Sequence, residues 1–191
     1  MLDNQFQHED VPSVVVDNYQ GGYEATKHLI NLGHTQIAFI GGPSVFLSVA
    51  ERKRGYSQAL EEAGLTSFGT DSCGFTVSGG YEVAKRWVRE DKLPTAFFCG
   101  DDFIALGVVQ ALRDEGIRVP HDLSVVGFDD QQFAGEFYPR LTTVRQPEAQ
   151  MGSIGVDLLM QLIHGEVMPP AVTKLAPQLL VRESSANVRL T

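Results

Sequence analysis

Residues 94–130, PTAFFCGDDFIALGVVQALRDEGIRVPHDLSVVGFDD, hold the pattern that decides the fold. Thr95–Cys99 is a continuous apolar run of strand length that stops at Gly100-Asp101-Asp102, and Phe103–Glu115 then recurs at helical spacing up to Gly116. After Pro120 a second apolar run, Leu123–Phe128, stops at Asp129-Asp130. Apolar strand, amphipathic helix, apolar strand is how a parallel βαβ unit covered on both faces reads. A central strand that ends abruptly on acidic residues places them at the carboxyl rim of a doubly wound sheet, where such folds bind ligands.

The pattern extends in both directions. Val14-Val15-Val16 leads into a helix over Tyr19–Leu32 stopped by Gly33; Ile37–Ile40 is a strand closed by Gly41-Gly42-Pro43; a helix then runs from about Ala50 to Ala63 with Gly64 behind it. Cys73–Thr76 reads as a short extended segment before a helix from about Gly79 to Glu90. Beyond Asp130, Leu141–Arg145 reads as a strand and Glu148–His164 as a helix with an apolar face of Met151, Ile154, Leu158, Leu159, Leu162 and Ile163. Gly165 and the loop Met168-Pro169-Pro170 lead to a last strand at about Pro177–Arg182. No fixed-period repeat or low-complexity segment interrupts this order.

Composition sets the outer limits. The 191 residues carry 15 Lys+Arg against 24 Asp+Glu, a net charge of −9, and 43% are hydrophobic. Non-specific affinity for nucleic acid comes from cations that displace counterions, so this chain by itself is not expected to hold DNA. No window approaches the length of a membrane span, and the opening MLDNQFQHEDVP has neither a basic nor an apolar leader region, so no membrane partner and no secretory signal are expected. Cys73 and Cys99 are too few for a disulfide framework, which makes the cytoplasm the expected compartment.

Enzyme signatures do not appear. Neither GxGxxG nor GxxxxGK[ST] follows a strand, Pro43 stands where a phosphate loop needs an N–H, and there is no GxSxG. None of His8, His28, His34, His121 and His164 has metal-ligand spacing, and His34 after Gly33 is read as capping the preceding helix; no catalytic residue, cofactor or metal is expected. What remains is a group of residues at strand ends: Arg52, Phe75, the pair Asp101 and Asp102, and the pair Asp129 and Asp130. Asp102 and Asp130 are candidate helix caps. The others, an Arg, an aromatic face and two carboxylates, suit a polyhydroxylated ligand whose hydroxyls meet charged groups while its ring stacks on Phe75.

The segments 14–43, 51–65, 94–130 and 139–159 together resemble the effector-binding domain of LacI/GalR-type transcription regulators, in order and spacing over nearly the whole chain. The resemblance implies a type I periplasmic-binding-protein-like α/β fold, a small effector held by Arg52, Phe75, Asp101, Asp129 and Ser48, and no enzymatic activity. It implies a sugar-like effector, with a nucleoside as the other possibility; Phe46 stands where some purine-binding relatives carry a basic residue. It also implies a homodimer, with Phe103, Phe133, Phe137 and Tyr138 at the interface, and operator DNA contacted through a helix-turn-helix headpiece that these residues do not contain.

Set against that family, the chain divides into 1–16, a crossover from an N-terminal subdomain; 17–140, the C-terminal effector-binding subdomain; 141–170, a strand and helix of the N-terminal subdomain; and 171–191, a return strand and tail. One subdomain is then complete and the other a fragment. Half the cleft and the partner of the helix at 148–164 are missing, so effector affinity is expected to be weak. A solute-binding protein of a sugar transporter shares the fold and is the competing reading; a helix-turn-helix or a signal peptide encoded upstream of Met1 discriminates the two.

Overall fold

A computed structural model describes residues 12–165 and 172–189; the opening segment 1–11 and the loop Met168-Pro169-Pro170 lie outside the described residues. In chain order the elements are β1 (Ser13–Val16), α1 (Asn18–Asn31), β2 (Ile37–Gly41), α2 (Leu47–Glu62), β3 (Gly69–Ser72), α3 (Val77–Arg89), β4 (Ala96–Cys99), α4 (Asp102–Asp114), β5 (Ser124–Val126), a 3-10 turn (Gln132–Gly135), β6 (Thr143–Arg145), α5 (Glu148–Ile163), β7 (Val172–Leu175) and β8 (Gln178–Leu180).

A four-stranded parallel sheet of order β3-β2-β4-β5 carries the main core. Side chains alternate across a strand, and both faces here are apolar. Ala38, Ile40, Phe97 and Cys99 pack with Val83 and Ala84 of α3 and Ile104, Ala105 and Val108 of α4. On the opposite face, Ile37, Phe39, Ala96 and Phe98 pack with Ala25 and Leu29 of α1 and Tyr56 and Leu60 of α2. The sheet is therefore doubly wound, as expected.

Each helix pair crosses at two glycines. A Cβ on Gly22 would fall 2.2 Å from the Arg52 carbonyl oxygen and one on Gly55 2.1 Å from that of Tyr19; Gly80 and Gly107 stand in the same relation to the carbonyls of Ile104 and Val77, at 2.2 and 2.0 Å. No side chain fits at these positions, so α1 meets α2, and α3 meets α4, backbone to backbone.

The structure corrects several expectations. The third strand is Gly69–Ser72, not Cys73–Thr76: it is the polar edge strand, half-buried on alternate residues, and has no apolar run to betray it. Cys73–Thr76 is loop, and Thr76 caps α3 by accepting from the Gly79 N–H at 3.0 Å. β7 was not anticipated. It pairs in parallel with β1, and this two-stranded sheet is covered by Met151, Ile154 and Leu158 of α5. The strand assigned to the second subdomain, Leu141–Arg145, instead extends the first sheet: the Gly127 and Asp129 N–H groups donate to the Thr142 and Val144 carbonyls at 2.9 and 2.8 Å, and β8 pairs antiparallel to β6. Thr142, Thr143 and Val144 are buried there, and their backbone groups complete the edge that β5 leaves open.

Three capping assignments also change. The His34 ring does not cap α1. It is buried under the C-terminal tail, with Nδ1 3.0 Å from Thr95 Oγ1 and Nε2 near Ser124 Oγ at 3.1 Å and the Ala186 carbonyl at 3.0 Å. The helix end is closed by backbone groups alone, the His34 N–H donating to the Leu29 carbonyl. Asp101, not Asp102, caps α4, accepting from the Phe103 and Ile104 N–H groups at 2.7 and 3.1 Å. Asp130 caps nothing and pairs with Arg145 and Arg182.

Candidate functional site

The parallel strands β2, β3, β4 and β5 all end at one rim, and their following loops bring the expected residues together there. Arg52 lies in the second turn of α2, which begins at Leu47, earlier than expected, so Ser48 sits in the first helical turn and not in a loop. The Gly22–Gly55 crossing holds this part of α2 against α1 and turns the guanidinium inward, where the residue is only 5% exposed.

Three of the five guanidinium N–H groups are committed to protein acceptors: Nε donates to Asn18 Oδ1 at 2.8 Å, Nη1 to the Gly100 carbonyl at 2.6 Å and Nη2 to Asp129 Oδ1 at 3.2 Å. The plane rests on the Phe128 ring, with Cζ 3.7 Å from its centroid, a desolvated cation–π contact. Arg52 thus ties the ends of β4 and β5 to the start of α1.

Asp129 receives a second donor from across the rim, Gln146 Nε2 at 2.5 Å. Burial raises its pKa above the usual carboxylate value; the Arg52 charge and the Gln146 bond oppose that rise, and the neighbouring Asp101 carboxyl adds to it. The Asp101 and Asp129 carboxyls lie within hydrogen-bonding reach of each other; Asp101 Oδ1 accepts from the first turn of α4, and Asp129 Oδ1 accepts from Arg52 and Gln146. Behind them, Asp102 accepts from Thr143 Oγ1 at 2.6 Å and the Gln131 N–H at 2.8 Å, and burial pushes its pKa to about 7. Its role is to lock α4 to β6 and the turn after β5.

Phe75 is half-buried at the same rim. A Cβ on Gly42 would come within 2.2 Å of its ring, and the Phe46 ring centroid is 5.5 Å away, so the loops after β2 and β3 supply an aromatic wall beside the carboxyls. Asn18, Phe128 and Gln146 belong to this site and were not anticipated. Their signal is weak: an amide beside a helix start, a strand-end aromatic and an amide before Pro147 carry no motif.

Two of the expected interface residues adjoin the rim: the Phe103 N–H donates to Asp101, and Phe133 lies in the turn that follows Asp129-Asp130. The Phe103 and Phe133 rings meet at a tilt with centroids 5.0 Å apart, both partly exposed, Tyr138 is 83% exposed, and Phe137 leans on the core beside α4. Among the described residues, no cluster of His, Cys, Asp and Glu can hold a metal, and no helix is long and apolar enough to cross a membrane.

Comparison with known proteins fits this geometry. The periplasmic binding protein-like domain matches residues 26–185. The HTH-type transcriptional repressor PurR of Glaesserella parasuis is 38% identical over 179 residues, 88% of this chain and 52% of the repressor. A LacI family transcriptional regulator from Enterococcus faecium with bound ribose superimposes with a TM-score of 0.91 at 27% identity, over 98% of this chain and 70% of that one. The regulator CelR in complex with cellobiose gives a TM-score of 0.88 at 36% identity, over 94% of this chain and 55% of that one. The chain spans about half the length of the PurR repressors that it matches. With a family match across most of its length, the chain belongs to the periplasmic binding protein-like domain family, in the form that LacI/GalR-type regulators carry.

Proposed function

We propose that the chain is the ligand-sensing and dimerisation region of a LacI/GalR-type transcriptional repressor that responds to a small sugar-like effector in the cytoplasm. The observation that carries this is the convergence of Arg52, Asp101 and Asp129 on one rim beside Phe75. Hydroxyls of a ring would donate to the Asp101 and Asp129 carboxyls and accept from the remaining Arg52 N–H groups, with Phe75 on the apolar ring face. Ser48, one turn ahead of Arg52, supplies a further hydroxyl. Ribose and cellobiose in the two similar regulators are ligands of this chemistry.

The effector acts by its differential affinity for two arrangements of the regulator. The surface formed by Phe103, Phe133, Phe137 and Tyr138 is the proposed contact with a second copy, being aromatic and, at Phe103 and Tyr138, exposed. A net charge of −9 leaves operator contact to a headpiece other than these residues.

Chemical-shift titration, which reads millimolar dissociation constants, tests the site directly. D-Ribose, cellobiose or guanosine should move the amides of Ser48, Phe75, Asp101 and Asp129, and Arg52→Ala should abolish the effect. A chain on which none of these compounds moves those amides does not hold its effector at this rim.

A further inference from the structure

We propose that the effector held at this rim is a glycoside of two rings, a disaccharide, and that Phe46 with its neighbours Val45 and Leu47 carries the second ring. This rests on the reading of the rim as an effector site and adds how large a molecule the rim holds.

The rim is divided. Its strand ends stand in the order β3-β2-β4-β5, and with neighbours about 4.8 Å apart the four of them span roughly 14 Å. The fixed polar groups gather at the β4–β5 end: Asp101 and Asp129, the Arg52 guanidinium bonded to the Gly100 carbonyl and to Asp129, and Gln146 bonded to Asp129. The β2–β3 end is aromatic. Phe75 comes from the loop after β3 and Phe46 from the loop after β2, with ring centroids 5.5 Å apart and planes 41° apart. The apolar face of one sugar ring matches one phenyl ring in size, so a single sugar gripped by the carboxyls and seated on Phe75 cannot also cover Phe46.

The core and the helix cap do not account for Phe46. It belongs to none of the buried apolar clusters formed by the described residues. It is the N-cap of α2 and makes no side-chain cap bond, at a position where Ser, Thr, Asp or Asn stabilises a helix and an apolar residue does not. Val45 before it is 72% exposed and Leu47 after it 37%, so three apolar residues in a row stand wholly or partly open at the rim. Such a run is unfavourable unless a ligand covers it. A sugar ring is the matching occupant, because its C–H face lies on the aromatic while its hydroxyls stay in water. A nucleobase needs complementary groups along its edge. Residues 42–48 and 73–76 supply hydroxyls and the donors of the uncapped first turn of α2, but no carboxylate, amide or guanidinium side chain.

Chemical-shift titration of the 191-residue chain sets monosaccharides against disaccharides built from them: D-glucose against cellobiose and maltose, D-galactose against lactose, with guanosine as the nucleoside. One disaccharide should bind at least tenfold more tightly than its monosaccharide and should move the Val45, Phe46 and Leu47 amides, which the monosaccharide leaves in place. Phe46→Ala should erase that advantage, and Phe46→Trp should keep it. A monosaccharide that binds as tightly as every disaccharide containing it overturns the second ring and leaves the effector site standing. An advantage that survives Phe46→Ala undiminished overturns the assignment to Phe46. Guanosine that moves these three amides where no disaccharide does puts a base in place of the sugar and overturns the glycoside. Silence from every compound removes the effector site, and the second ring with it.

Discussion

Among the described residues, two parallel sheets start from the same kind of apolar strand, and only one is covered on both faces. In the four-stranded sheet Phe97 and Phe98 of β4 are neighbours in sequence and face opposite ways, each fully buried, one toward α3 and α4 and the other toward α1 and α2. In the two-stranded sheet Val14 and Val16 are buried against α5, while Val15 is half-exposed and Val172 is 58% exposed. Helix α5 repeats the contrast: Met151 is buried, and Leu159, Met160, Leu162 and Ile163 face outward. Burial is a property of the pairing of elements, and the amphipathic pattern of each gives only its capacity for it.

Mutations sharpen that contrast. Phe98→Ala should cost about 4 kcal/mol in urea unfolding, as expected of an aromatic deleted from a closed core. Arg52→Ala should follow at about 3 kcal/mol, because it leaves the Asp129 carboxyl buried without its cation; a loss under about 1 kcal/mol would show that the rim is open to water. Met151→Ala, in the smaller core, should cost less than about 2 kcal/mol, since few neighbours surround it. If it matches Phe98→Ala, the two sheets are equally well packed and the contrast fails.

Stability against pH divides along different lines. His28 and His34 lie beneath the C-terminal tail with pKa values lowered by burial, so the stability they confer is present above about pH 6.5 and declines as pH falls and the unfolded chain takes up protons. Asp102 and Asp129 have raised values, so their contribution is greatest in acid and is lost as pH rises, for Asp102 through about 7. The thermal midpoint should therefore pass through a maximum in mildly acidic solution; Asp102→Asn should flatten its alkaline side and His34→Gln its acidic side. The smallest effect belongs to Leu159→Gln, within about 0.5 kcal/mol of the parent. A cost above about 1.5 kcal/mol would mean that the outer face of α5 is covered in solution.

Most of the larger sheet was legible because β2, β4 and β5 are apolar runs that stop at Gly or Asp. β3 was not, because an edge strand needs no apolar run, and GTDS looks like a loop. Leu141–Arg145 was recognised as a strand but assigned to the wrong sheet, since its sequence does not say which edge it completes. At the rim, Arg52, Phe75, Asp101 and Asp129 could be named from the strand-end pattern and the family resemblance. Asn18, Gln146 and Phe128 could not: their part depends on how three distant loops meet around one guanidinium. His34 misled because the residue after a helix-ending glycine commonly serves that helix, and here the ring anchors a tail 152 residues further along the chain.

The glycine crossings make the fold a gauge as well as a scaffold. Where Gly22 and Gly55 let two helix backbones touch, the spacing is fixed by main-chain dimensions and has no side chain through which to adjust. Arg52 is three residues from Gly55, just under one turn at 3.6 residues per turn, so any wedge at the crossing moves the guanidinium almost one for one. A methyl group at position 55 would wedge the two backbones apart behind Arg52 and so detune the rim, which makes this crossing a sensitive point for altering its geometry.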